Sequence, residues 1–218
     1  MGEDMYTAVV KVGGSLARSK RNLKRLCSKL SSLGKRYPLL LVPGGGPFAD
    51  EVRKEYRKFK LSEDVAHWMA LMAMNQFGLM LAELTGIEAS EAIGGGKTIV
   101  FLPFRLIFED DPLPHSWDIT SDSVAAYIAW KAKVSMVILL KDVDGVFSND
   151  PKRHADAKLL ENVKAFDLAS LGVSTSVDPF FPKLVGNYGI EAWVINGKYP
   201  ERLEKLLSEG RTMGTRIY

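Results

Sequence analysis

The sequence predicts an α/β protein, a layered sandwich around a mostly parallel central sheet. Three observations carry that prediction. Short apolar runs recur at Val9–Val12, Leu39–Val42, Ser135–Leu140 and Glu191–Ile195, and strands covered by helices on both faces read as unbroken apolar runs. Helix-period stretches separate them, and regular alternation of strand and helix builds a parallel sheet. The first two runs each end in a glycine turn that leads into a helix-like stretch, the geometry that offers backbone N–H groups to an anion.

The first run is Val9-Val10-Lys11-Val12, followed by Gly13-Gly14-Ser15-Leu16. Lys11 is the odd residue. An ammonium inside an apolar strand must find an anionic partner, and a phosphate just past the strand end would serve. The plainer reading is an edge-strand lysine beside an ordinary turn. Residues 17–36 follow a helical period that places Leu23, Leu26, Cys27, Leu30 and Leu33 on one face, with Gly34 as its end. Leu39–Val42 is the next buried strand. Pro43-Gly44-Gly45-Gly46-Pro47 breaks it, and a charged helix follows from Phe48 to Lys58. Gly44-x-Gly46-x-x-Ala49 matches a dinucleotide fingerprint in form. The acidic residue that fingerprint needs at the next strand end is missing, because Glu63 and Asp64 open a helix instead.

That helix runs from the Ser62 cap to about Leu84, closed by Gly86. Its body, Trp68–Met74, is apolar nearly all round, which suits a subunit interface or a core. Gly94-Gly95-Gly96-Lys97-Thr98 imitates the end of a Walker A loop, but Glu91 stands where a glycine is required, and a strand pattern, Ile99–Phe104, follows. Residues 105–118 are loop-like and carry Asp110, Asp111, His115, Trp117 and Asp118, a candidate for substrate contact or a surface hairpin. Thr120-Ser121-Asp122-Ser123 caps a helix to about Lys133. At the carboxyl end of the strand after it come Lys141-Asp142-Val143-Asp144-Gly145-Val146-Phe147 and Asp150-Pro151. Ligands of open α/β sheets bind at such ends. Pro182 suits the first position of a short helix. Lys183 in its first turn opposes the helix dipole, so a ligand is the better reason for it. The last helix starts at Pro200-Glu201 and ends near Leu207, and Met213–Ile217 closes the sheet as an edge strand.

Composition narrows the function classes. The chain has 218 residues, 46% of them hydrophobic, and a net charge of +3. That charge fits a small anionic ligand and is too weak to indicate nucleic acid. With one cysteine, a disulfide framework is excluded within the chain, and a reducing cytoplasm is the expectation. The three histidines, His67, His115 and His154, lie far apart and lack metal-ligand spacing. The acidic N-terminus lacks a signal core, and no apolar run approaches the ~18 residues of a membrane span. No membrane partner is expected.

Two N–H-rich turns facing one point could hold two anionic groups. With Lys11, Lys183 and Asp142 they read as phosphoryl transfer, which needs positioning and charge neutralisation above all. The chain resembles the amino acid kinase family over nearly its whole length. The carriers are Lys11-Val12-Gly13-Gly14-Ser15, Pro43-Gly44-Gly45-Gly46, Ser121-Asp122-Ser123-Val124-Ala125-Ala126 and Lys141–Phe147 with Asp150-Pro151.

The resemblance implies a three-layer αβα sandwich forming one kinase domain over 1–218, with an acceptor half at about 1–120 and a nucleotide half at about 121–218. It implies Mg-ATP as donor, Lys11 and Lys183 on the transferred phosphoryl, and Asp142 orienting both. On the nucleotide side it implies Gly13, Gly14, Gly45, Asp144, Gly145, Phe147 and Asp150. No side chain is expected to bind metal, and a homodimer or higher oligomer is expected. Two departures stand out. Pro179-Phe180-Phe181-Pro182 replaces the glycine–methionine that usually precedes the second lysine, and Thr120-Ser121-Asp122 replaces the usual asparagine-alanine-aspartate, which suggests a different acceptor. Within the family, the motifs around 43–49, 117–122 and 196–202 resemble the branch that turns an (aminomethyl)furanmethyl phosphate into its diphosphate. The acceptor set is then Gly44, Gly46, Phe48, Asp50, Arg53, Trp117, Asp118, Ser121 and Asp122. A kinase of UMP or of an amino-acid carboxylate, and a sensor without turnover, are the alternatives.

Overall fold

The computed structural model describes residues 6–149, 154, 156–170 and 176–218. Eight strands form one sheet in the order β3-β4-β2-β1-β5-β7-β8-β6. These are β1 (Ala8–Val12), β2 (Leu39–Pro43), β3 (Ala89–Ser90), β4 (Ile99–Phe101), β5 (Met136–Lys141), β6 (Asn162–Val163), β7 (Glu191–Asn196) and β8 (Thr215–Ile217). Every pairing is parallel except β7 with β8. The αβα prediction therefore holds. Met213–Ile217 is not the edge as expected, because β6 pairs outside β8.

The period-2 geometry of the strands divides the core in two. Val10, Val12, Ile138 and Leu140 point to one face, beneath α1 (Lys20–Gly34) and α8 (Glu201–Glu209). Val9, Val137 and Leu139 point to the other, beneath α5 (Ser121–Lys131), α6 (Ala165–Ser170) and α7 (Phe181–Tyr188). Lys11 shares the parity of Val9, so it faces α5. On α1, Leu23, Leu26, Cys27, Leu30 and Leu33 are buried as their spacing predicts, each leucine worth roughly 1.5–3 kcal/mol of transfer free energy. Burial pushes the Cys27 thiol up to about 11, which keeps it unreactive.

Local differences have local causes. A short 3-10 turn, Gly14–Arg18, precedes α1, whose Ser19 accepts from the Asn22 amide. The expected strand to Phe104 stops at Phe101, and the expected loop begins with a helix, α4 (Phe104–Asp110), behind Pro103. Asp111 ends α4 in a left-handed conformation. The helices α2 (Gly46–Phe59) and α3 (Glu63–Thr85) form the wall beside β2. Ser62 caps α3, and Gly86 closes it with φ 68°. At 23 residues, with an 18-residue window of mean hydropathy 1.2, α3 is long and apolar enough to cross a membrane, against expectation. Its Leu71 and Met74 enter one core and its Phe77 and Leu81 the other. Val65, Met72 and Leu79, seven residues apart, are left exposed.

Candidate active site

The carboxyl ends of β1, β2 and β5 surround a cavity of about 450 Å³. Its floor is a charged triad. Lys11 Nζ donates to Asp122 Oδ1 at 2.8 Å, and Lys141 Nζ donates to Oδ2 of the same carboxylate at 2.5 Å. The strands place both lysines. Lys11 lies opposite Leu139 in register, and Lys141 follows Leu139 by two residues, so both side chains project on the α5 face. Asp122 sits in the first turn of α5, whose Thr120 side chain caps the Asp122 amide.

Asp122 is 1% exposed. Burial alone would raise its pKa, but the two ammonium groups hold it well below the usual carboxylate range. Burial lowers the pKa of Lys141; Asp122 works against that shift, and the Lys11 charge adds to it. Two ammonium groups share the Asp122 carboxylate, and the buried Asp178 charge also acts on Lys141. Both lysines line the cavity, where an anion would meet two cations at once.

A second buried carboxylate fixes the first. Asp178 accepts from the Thr120 amide and hydroxyl, the Ser123 amide and hydroxyl, and the Phe180 and Phe181 amides. Its own amide donates to Asp122 at 3.3 Å. Asp178 thus ties the start of α5 to the start of α7.

The two glycine turns lie against each other. A Cβ on Gly14 would stand 2.4 Å from the Gly46 nitrogen, and one on Gly44 2.8 Å from the Gly14 nitrogen. The Gly13 amide donates to Leu140 O and the Gly44 amide to Val12 O. Those two amides hold strand ends together instead of facing a ligand, a correction to the expected donor set. Gly13, Gly14, Gly45 and Gly46 line the cavity, and Gly44 does not. The 3-10 turn and α2 begin there without side-chain caps.

Several other expected residues stand elsewhere. Asp142 lines the cavity but accepts from Ser15 Oγ at 2.9 Å and orients neither lysine; Asp122 does that. Lys183 is exposed and off the cavity, because Phe181, Pro182, Leu184 and Val185 form the buried face of α7. Asp144 is held by Arg202 at 2.5 Å and Asn196 at 3.1 Å. Gly145 packs on Thr215, and Phe147 bridges to Leu159. None of these three lines the cavity. Asp150 lies outside the described residues.

The far wall comes from α2, α3 and the segment before α5. Asp50, Arg53, Glu63, His67, Trp117 and Ser121 line it. The Arg53 guanidinium lies 5.1 Å over the Trp117 ring and 3.2 Å from Asp50. Phe48 packs into the α1 core and Asp118 is exposed, so neither takes the expected place. Trp68 instead contacts His67, His115 and Phe108. His67 and His115 stack with ring centres 4.3 Å apart, although 48 positions separate them in the chain. Burial, then the nearby His115, pushes His67 down to about 4. Burial would lower His115 too, but Asp64 and Asp111, one at each ring nitrogen, raise it.

The sequence reading passed over Lys141 as a ligand group and Asp178 altogether, and it named Glu63 only as a helix opener and His67 only as lacking metal-ligand spacing. Only Lys141 carried a signal: it shares the parity of Leu139 at a strand's carboxyl end.

A family model described as "Amino acid kinase family" matches residues 7–94 and 88–196. The chain belongs to the amino acid kinase family. Among the relatives of this kinase chain is the [5-(aminomethyl)furan-3-yl]methyl phosphate kinase of Methanocaldococcus jannaschii, 35% identical over 217 residues and 96% of each chain. The uridylate kinase of Methanospirillum hungatei is 27% identical over 98% of this chain and 95% of its own. The uridylate kinase structure from Archaeoglobus fulgidus superposes with a TM-score of 0.77 over 97% of this chain and all of that one, at 23% identity. The T. acidophilum isopentenyl phosphate kinase gives 0.62 over the same shares, at 21% identity. Those two likenesses establish the amino acid kinase fold.

Proposed function

We propose that this kinase transfers the γ-phosphoryl of Mg-ATP to a phosphate monoester, an (aminomethyl)furanmethyl phosphate, giving the diphosphate. The observation that carries the reading is the pair of ammonium groups, Lys11 and Lys141, held on Asp122 at the floor of a cavity bounded by two glycine turns. An acceptor phosphate oxygen bonds to the γ-phosphorus as the bond to the β–γ bridging oxygen breaks. ADP leaves with that oxygen. The acceptor is already anionic, so no general base is needed. Lys11 neutralises charge on the moving group, Asp122 holds its ammonium in place, and the turns fix the two phosphates in line.

Mg²⁺ enters with the nucleotide and neutralises its phosphate oxygens. Among the described residues no group of three His, Cys, Asp or Glu could hold a metal. The acceptor ring rests against Trp117, and Asp50 and Glu63 face its ammonium. The first half of the chain supplies that acceptor wall.

Activity assays with Mg-ATP and a panel of the furan phosphate, UMP, isopentenyl phosphate, glutamate and aspartate test this. Turnover of the furan phosphate is the expected result. Asp50→Asn with Glu63→Gln raises its KM at least tenfold and leaves the ATP KM within twofold. Turnover of UMP alone would transfer the assignment to a uridylate kinase.

The chain works as a cytoplasmic homodimer through the α3 stripe of Val65, Met72 and Leu79, since exposed apolar stripes of this kind mark association surfaces. Sedimentation should show a dimer for the wild type and a monomer for Leu79→Glu. A monomeric wild type would remove the interface.

A further inference from the structure

We infer that Lys141 is the second cation on the transferred phosphoryl group, in the place that the motifs alone give to Lys183. The inference rests on the kinase reading for its ATP side and is independent of the acceptor. Three observations carry it. Lys141 ends β5 on the same face as Lys11, and the two ammonium groups grip opposite oxygens of Asp122. The Lys141 side chain is 15% exposed against 6% for Lys11, and both open to the same cavity. Lys183 projects from the exposed face of α7 and does not line it.

A purely structural role accounts less well for this arrangement. Lys11 already pairs with Asp122. Lys141 adds a second ammonium to the same carboxylate and opens to the cavity, where the γ-phosphoryl group would meet it. As the bond to ADP breaks, negative charge spreads over the equatorial and bridging oxygens, and a lysine on each side of Asp122 meets it from a fixed distance. Asp122 sets the spacing of the two cations and itself stays out of contact with the phosphoryl group. The ammonium of Lys141 comes from the rigid sheet, whereas Lys183 would have to come from a helix start.

Single-turnover transfer and equilibrium titration with Mg-ATP and Mg-ADP, on the full chain, test the assignment. Lys141→Met leaves Asp122 paired with Lys11. It should lower the transfer rate at least 100-fold and cut the ratio of ATP to ADP affinity at least tenfold, since ADP lacks the transferred group. Lys141→Arg should restore part of that ratio, and Lys183→Met should stay within threefold of wild type in both measurements. Retention of the ATP-to-ADP ratio within twofold by Lys141→Met, or its loss in Lys183→Met, overturns the assignment. If Lys141→Met does not fold, the Lys183→Met and Lys141→Arg results decide. A wild type that binds ATP but phosphorylates nothing in the panel overturns the kinase reading, while the affinity ratio still decides Lys141. A wild type that does not bind ATP sinks both.

Discussion

Asp122→Asn should slow transfer by about 10³-fold and lower the thermal midpoint by about 10 °C. The carboxylate is fully buried between two ammonium groups. Removing one partner of a buried ionic set costs roughly 3–5 kcal/mol, because the remaining charges stay desolvated, and each kcal/mol moves the midpoint of a chain this size by about 2–4 °C. The rate loss, on the order of 10³-fold, comes from two lysines that no longer share a fixed anchor. The pH dependence has a definite sign. The Asp122 pKa is depressed in the folded state, so its contribution is present above the unfolded value of about 3.9 and is lost as pH falls below it. The wild type therefore loses this increment only in strong acid, and the variant lacks it at every pH. Differential scanning calorimetry at pH 7 checks the shift. A midpoint within 2 °C of wild type would show that the triad contributes little to the fold.

Gly14→Ala should cost about 1–3 kcal/mol, the usual range for overpacking, and roughly 100-fold in activity. The new methyl group would stand 2.4 Å from the Gly46 nitrogen and 2.7 Å from its Cα. Both atoms are backbone, so no rotamer change relieves the clash and the two turns must separate. A displacement near 1 Å at the reacting groups is enough for that loss of rate. Gly94→Ala is the control: its Cβ meets nothing within 4 Å. Denaturant unfolding and initial rates for both variants would expose the error if the two behaved alike.

The fold was legible where one physical rule dominated. Continuous apolar runs located β1, β2, β5 and β7, the helical period with Gly34 located α1, and the Ser62 cap with Gly86 located α3. The misses came where tertiary context decides. Two prolines and a cluster of acids made 105–118 look like loop, yet Phe104 and Ile107 pack into the core and draw α4 into a helix. The two-residue β6 is too short to leave a pattern. In the site, Lys11 was found because a lysine in an apolar strand is conspicuous. Asp122 was singled out for the acceptor and lies instead between the lysines, 111 positions from Lys11. No spacing rule reveals that pairing. Lys183 and Asp142 were chosen for their places in motifs, and neither motif fixes the direction of a side chain. Asp178 left no signal at all, because its role consists of six hydrogen bonds to groups at two helix starts.

The triad stands on two adjacent central strands and the start of α5, whereas the proposed acceptor wall stands on α2, α3 and the segment before α5. Substitutions without shared partners combine nearly additively. On the proposed reading, a chain built this way can exchange one phosphorylated acceptor for another by drift at Asp50, Glu63, His67 or Trp117, while the floor of the cavity is inherited unchanged. Selection for a new acceptor and selection for turnover act on separate parts of the molecule.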